Sequence, residues 1–116
     1  MRGDEARVVA AFCEYLRAQG WTVTTEVAWC DVRAERDGAV IYAEAKGRTS
    51  APGLNVDTGY GQLLRRMPAE DEPSTRYAVV VPTEALHFAE RVPPRVRQSL
   101  RLDIYAVDSG GAVTLV

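Results

Sequence analysis

The dipeptide Asp37-Gly38, set between two segments that alternate apolar and polar residues, constrains this chain more than any other feature. Both residue types tolerate the positive φ angles of a two-residue hairpin loop, so strands are predicted over Cys30–Glu35 and Ala39–Lys46 with a tight turn between them. A loop of that length fixes the register. Arg36 faces Ala39, and counting away from the turn sets Glu35 against Val40, Ala34 against Ile41, Arg33 against Tyr42, Val32 against Ala43 and Asp31 against Glu44. Strand side chains alternate, so Val32, Ala34, Ile41, Ala43 and Ala45 form an apolar face. Asp31, Arg33, Tyr42, Glu44 and Lys46 lie on the opposite face.

Two carboxylates facing each other across neighbouring strands repel, and something must compensate. A divalent cation does so directly, because Mg²⁺ prefers hard oxygen ligands from one or two carboxylates. Lys46, two residues beyond Glu44 and on the same face, neutralises part of the charge. Such a site would polarise a phosphate and acidify a water beside an ammonium group. Solvated strands also carry charges of this kind. The register and the apolar opposite face favour the chemical reading.

The remaining segments predict a mixed α/β sheet with helices packed on it. Val8, Val9, Ala11, Phe12, Tyr15 and Leu16 recur at helical spacing between Asp4 and about Gln19, with Asp4 and Glu5 at the favourable end of the helix dipole and Gly20 as a stop. Trp21–Val27 reads as a strand, Arg48 to Asn55 as a loop, and Val56 or Asp57 to Met67 as a helix closed by Pro68. Arg76–Val81 is a continuous apolar strand suited to burial on both faces. Thr83 and Glu84 open a helix that Pro93 and Pro94 must break or restart before Val96–Leu100. Leu102–Val107 and Ala112–Val116 complete the order αβββαβαββ.

At 116 residues, with no repeat, linker or low-complexity tract, the chain reads as one domain over residues 1–116. A lone histidine, His87, leaves His-based metal sites and Ser-His-Asp or Cys-His chemistry without material, so catalysis must rest on carboxylates, lysine and metal. Cys13 and Cys30, far apart and outside any CxxC pattern, read as buried reduced thiols. No apolar run approaches the roughly 20 residues that cross a bilayer. The segment Met1-Arg2-Gly3-Asp4-Glu5 lacks the apolar stretch of a secretory signal, so no membrane attachment and a cytoplasmic location are expected. A net charge of −2 argues against a free-standing, sequence-indifferent nucleic-acid binder, although clustered acids in an active site also pull the total negative.

Asp31, followed by Glu44-Ala45-Lys46 at the end of the next strand, with one helix before and another after, resembles the PD-(D/E)xK nuclease superfamily. The resemblance covers nearly the whole chain in element order and implies a restriction endonuclease-like mixed β-sheet flanked by helices. It implies a Mg²⁺-dependent nuclease, with Mn²⁺ able to substitute, that hydrolyses phosphodiester bonds, most readily in DNA. Asp31 and Glu44 would hold the metal with the backbone carbonyl of Ala45, and Lys46 would position or activate the attacking water. Gln62, in Tyr60-Gly61-Gln62-Leu63-Leu64-Arg65-Arg66, matches the glutamine that many members carry on the following helix. An acid on the first helix often completes the site; Glu5 and Glu14 are available, and Glu5 is preferred. Cys30 stands where the family often has proline.

Arg48, Arg65 and Arg66 are nucleic-acid-binding candidates as bidentate phosphate donors; the polar face of a helix is the competing account of Arg65 and Arg66. Trp29 and Tyr42 are candidates for stacking on a base or for ordinary packing. The loop after Lys46 is either a substrate gate or plain surface, and Arg91, Arg95, Arg97 and Arg101 read as a solvated face. Val113–Val116 is either an internal strand or an exposed edge. A chain this small has no separate specificity domain, so a homodimer or a partner protein is expected. The competing class is a catalytically silent interaction or regulatory module on the same fold, acting with a partner; intact Asp31, Glu44 and Lys46 weigh against it.

Overall fold

The computed structural model describes residues 3–27 and 29–116; Met1 and Arg2 of the N-terminal segment lie outside them, as does Ala28. The chain opens with helix α1 (Gly3–Ala18), followed by strands β1 (Thr22–Val27), β2 (Cys30–Arg36) and β3 (Ala39–Ala45). Helix α2 (Pro52–Arg66) leads to β4 (Thr75–Pro82). A 3₁₀ turn (Thr83–Ala85), a single-turn helix α3 (Leu86–Ala89) and helix α4 (Pro94–Leu100) connect to β5 (Leu102–Val107) and β6 (Val113–Leu115). The strands form one six-stranded sheet in chain order. β1, β2 and β3 form an antiparallel meander, β3, β4 and β5 run parallel, and β6 turns back against β5.

The hairpin has the expected register. Arg36 pairs with Ala39, and the ladder continues to Val32 and Ala43. Asp37 and Gly38 both take positive φ, 50° and 83°, as a two-residue loop of the right twist requires. The apolar face of β2 and β3 joins Ala78 and Val80 of β4 to receive Val8, Val9, Phe12, Cys13 and Leu16 of α1. Alanines at 34, 43, 45 and 78 keep that sheet face low, so the large ring of Phe12 fits fully buried against Tyr105 with ring centroids 4.8 Å apart.

The two parallel crossovers advance the same way across the sheet, and the preferred right-handed connection puts both on one face. That face carries Tyr77, Val79, Val81, Leu102 and Ile104 against Val56, Tyr60 and Leu63 of α2 and Ala85 and Ala89 beyond β4. A buried hydrogen bond ties α2 to α3: the Tyr60 hydroxyl donates to the Ala89 carbonyl at 2.6 Å. β4 is buried on both sides, as its unbroken apolar run requires.

Several boundaries differ from the expectations, most by a single residue. α2 begins at Pro52, within the segment read as loop, because proline at the first helical position is preorganised and loses no hydrogen bond; Asn55 N–H already donates to the Ala51 carbonyl at 3.0 Å. The helix expected at Thr83 is a 3₁₀ turn and one α-helical turn, and Pro94 starts α4 as a separate element. β3 ends at Ala45, one residue before Lys46, although Lys46 N–H still donates to the Val80 carbonyl at 2.9 Å. The last strand is limited to Val113–Leu115 and forms a sheet edge, with Leu115 and Val116 exposed. Both cysteines are buried free thiols.

Candidate active site

The site lies at the carboxyl end of β3, where that strand leaves the sheet and α1 and α2 both approach. A cleft of about 440 Å³ is lined by Glu5, Glu26, Trp29, Asp31, Glu44, Lys46, Gln62 and Arg66, among others. β2 and β3 carry the two central acids one step beyond the last ladder pair, Val32 with Ala43. Asp31 Oδ2 accepts a hydrogen bond from the Ala45 N–H at 2.8 Å, which fixes its carboxylate against the end of β3. The Ala45 side chain is buried in the α1-side core, so its backbone is the part that meets the acids.

Glu44 is only 3 % exposed. Burial pushes its carboxyl up to about 7, helped by a hydrogen bond to the Asp31 carboxyl and by the Asp31 charge, while Lys46 and Arg66 oppose the rise. Glu5 is also raised, first by burial and then by the Asp31 charge, with Lys46 acting against both. Glu5 is therefore the acid that α1 delivers to the cleft; Glu14 sits exposed on the same helix.

Lys46 is held by its surroundings. Its stem runs along α2 at Gly59, where a Cβ would stand 3.2 Å from the Lys46 Cε. The next residue, Gly47, lies so close to the start of α1 that a Cβ would come within 2.2 Å of the Glu5 backbone nitrogen. Asp4 Oδ2 accepts the Arg48 N–H at 2.6 Å, and Asn55 Nδ2 donates to the Gly47 carbonyl at 3.1 Å. The segment that carries Lys46 is thus pinned from both helices. Gln62 reaches the cleft from α2 with a buried Oε1 that has no hydrogen-bond partner among the described residues.

The arginines divide. Arg66 turns inward: its Nη1 donates to Glu44 Oε1 at 3.1 Å and to the Trp29 carbonyl. Arg48 stays on the surface and pairs with Glu84 at 2.8 Å, beside the cleft rather than in it. Arg65 is exposed and bends back along α2 towards Gly61. Tyr42 is not free to stack on a base, because Trp29 lies 4.5 Å away and Tyr77 6.1 Å away, centroid to centroid. Trp29 lines the cleft from the end of that aromatic row. Further out, Arg91, Arg97 and Arg101 are engaged by Asp57, the Val92 carbonyl, and Asp71 with the Thr75 carbonyl.

Two contributors have no sequence signature at the site. Glu26 lines the cleft near the end of β1 with a φ of 52°, a left-handed conformation uncommon for a residue with a Cβ. Finding it needs the register of β1 against β2, which no turn dipeptide announces. Gly47 is visible as a glycine after the lysine, but its role depends on how closely α1 approaches. Among the described residues, no group of three His, Cys, Asp or Glu side chains is placed to hold a metal by itself.

No protein-family model matches the chain, and no curated protein matches it. Two solved structures share its fold. A fdxN element excision controlling factor protein from Anabaena variabilis aligns with a TM-score of 0.61 at 19 % identity, covering 94 % of this chain and 96 % of its own. A XisH family protein from Nostoc punctiforme aligns with a TM-score of 0.53, also at 19 % identity, covering 95 % of this chain and 98 % of its own. The mixed sheet flanked by helices is therefore an arrangement that both of those proteins share over nearly their full length. No described helix is long and apolar enough to cross a membrane.

Proposed function

We propose that the chain is a metal-dependent nuclease of the PD-(D/E)xK type that hydrolyses phosphodiester bonds in DNA. One observation carries the reading: Asp31 and Glu44, from neighbouring strands, line one cleft with Lys46 and Gln62, one step beyond the last ladder pair of β2 and β3. A fold spends stability to bury like charges together, and such clusters are concentrated at functional sites.

The residues fit a hard divalent cation such as Mg²⁺ or Mn²⁺. Two carboxylates are the usual protein share of a Mg²⁺ shell, and the buried Gln62 Oε1 is an acceptor without a donor among the described residues. Asp31, Glu44 and the Ala45 carbonyl would hold the ion, which when bound stabilises charge on the phosphate and acidifies water. The chain's own residues do the rest. Lys46, pinned by Gly47 and Asn55, keeps an ammonium at the acid pair and orients the attacking water. Gln62 Oε1 accepts a hydrogen bond from that water. Glu5, from α1, adds negative charge to the cleft without joining Asp31 and Glu44 as a ligand.

A DNA substrate is supported by the fold shared with a factor that controls excision of the fdxN element. The mild acidity of the chain and the engagement of Arg48 and Arg66 with acids weaken the basic charge beside the cleft, so a second copy or a partner protein would supply part of the grip. The competing reading, a silent module that acts with a partner, is favoured by the lack of a third acid in ligating position among the described residues.

Calorimetry with Mn²⁺ on the wild type, Asp31→Ala and Glu44→Ala, beside cleavage assays on duplex, junction and single-stranded DNA, separates the two. The nuclease reading expects metal binding that both substitutions abolish, with metal-dependent cleavage lost in Lys46→Ala. A wild type that binds no metal, with or without DNA, would overturn it in favour of the silent module.

A further inference from the structure

We propose that Arg66 is the internal counter-cation of the acid pair and must release Glu44 before a divalent cation can be held there. The inference rests on the metal-site reading above and names how that site is regulated. A buried carboxylate needs a partner charge, and the Glu44 side chain is only 5 % exposed. Among the described residues, Arg66 supplies the salt bridge to Glu44, with Nη1 3.1 Å from Oε1. Lys46 influences the same carboxyl without forming a salt bridge to it.

The two cations are mounted differently. Lys46 is confined along Gly59, next to the Gly47 pin. Arg66 is the last residue of α2, the backbone turns extended at Met67, and the Arg66 side chain is 41 % exposed. Its guanidinium reaches in from water and anchors on the Trp29 carbonyl with the nitrogen that also meets Glu44. It can therefore leave the pair without unpacking any core residue.

A guanidinium on Oε1 occupies one of the carboxylate's lone pairs and places a positive charge beside an incoming one, so the two cations compete for Glu44. Loading the acid pair thus displaces Arg66 towards the cleft mouth. There its planar fork becomes available to a phosphodiester oxygen, the group arginine binds best in bidentate fashion. One side chain then links metal loading to phosphate capture.

The test is Mn²⁺ calorimetry on the full chain as wild type, Arg66→Gln and Arg66→Lys, followed by titration of a short DNA duplex in Ca²⁺. Arg66→Gln is expected to bind Mn²⁺ about tenfold more tightly than wild type and the duplex several-fold more weakly, with Arg66→Lys between them. If Arg66→Gln melts in EDTA, Arg66→Lys carries the comparison, and recovery of the fold on adding Mn²⁺ supports the same conclusion. Unchanged or weaker Mn²⁺ binding in a folded Arg66 variant, with wild type binding metal, overturns the counter-cation role alone. A wild type that binds no Mn²⁺ overturns the metal-site reading and this inference with it.

Discussion

Replacing Glu44 by glutamine should remove a pH-dependent weakness from the fold. The folded protein raises this carboxyl from 4.5 to about 7, chiefly by burial and by contact with Asp31. A raised carboxyl binds its proton more tightly when folded than when unfolded. Its stabilising effect is therefore complete below about pH 4.5 and disappears as the pH rises through about 7. The interval is worth about 3 kcal/mol at roughly 1.4 kcal/mol per pH unit, and little of it is lost to solvent screening because the side chain is 5 % exposed. Glutamine keeps the shape and the hydrogen bond to Asp31 while carrying no charge at any pH. In EDTA, urea unfolding of the two proteins at pH 5 and pH 8 reads the acid pair, since titrations remote from it cancel in the difference. The variant should gain about 2–3 kcal/mol relative to wild type between pH 5 and pH 8. A relative gain below about 0.5 kcal/mol would show that Glu44 does not bear the burial and repulsion described here.

Gly47→Ala drives a methyl group into the backbone of Glu5 at 2.2 Å, so it should cost about 1–3 kcal/mol in urea unfolding and lower metal-dependent cleavage; a neutral effect on both would mean that α1 does not press on this segment. Phe12→Ala empties a fully buried site beneath α1 and should lower stability by about 3–5 kcal/mol, read from the same urea midpoint. Lys46→Met keeps the stem along Gly59 but removes the ammonium, so cleavage should fall at least about 100-fold while Mn²⁺ binding persists; comparable cleavage would remove Lys46 from the chemistry.

The central hairpin is legible in the sequence because its information is local. Asp37-Gly38 specifies the turn, the turn specifies the register, and alternation then assigns Asp31 and Glu44 to one face without knowledge of the remaining chain. The double burial of β4 is equally plain in its unbroken apolar run. The start of α2 is not legible, because Pro52 and Gly53 are loop formers by composition. Proline nonetheless favours the first helical turn, and Gly53 packs against Phe88, a contact made by a distant segment. Glu26 and the inward turn of Arg66 are hidden for the same reason. Each depends on where a second element comes to rest, and residue spacing does not encode that distance. Cleft membership of Glu5 sits between the two cases: helical spacing puts it in the first turn of α1, and only the approach of Gly47 brings that turn to the acids.

Strands that neighbour one another in the sheet also neighbour one another in the chain, from β1 through β6. A sheet of this order can grow outward from its hairpins, each new strand docking on an edge already formed. Local pairings form fastest, and hairpins close in microseconds, ahead of the longer crossovers that carry helices. The β2–β3 hairpin would therefore assemble early and hold Asp31 and Glu44 together before α2 has arrived with Gln62 and Arg66. For that interval the two acids face each other with no arginine between them. The electrostatic cost of the pair then rises as the cleft closes and water leaves it, so a divalent cation present at that stage would stabilise the closed site.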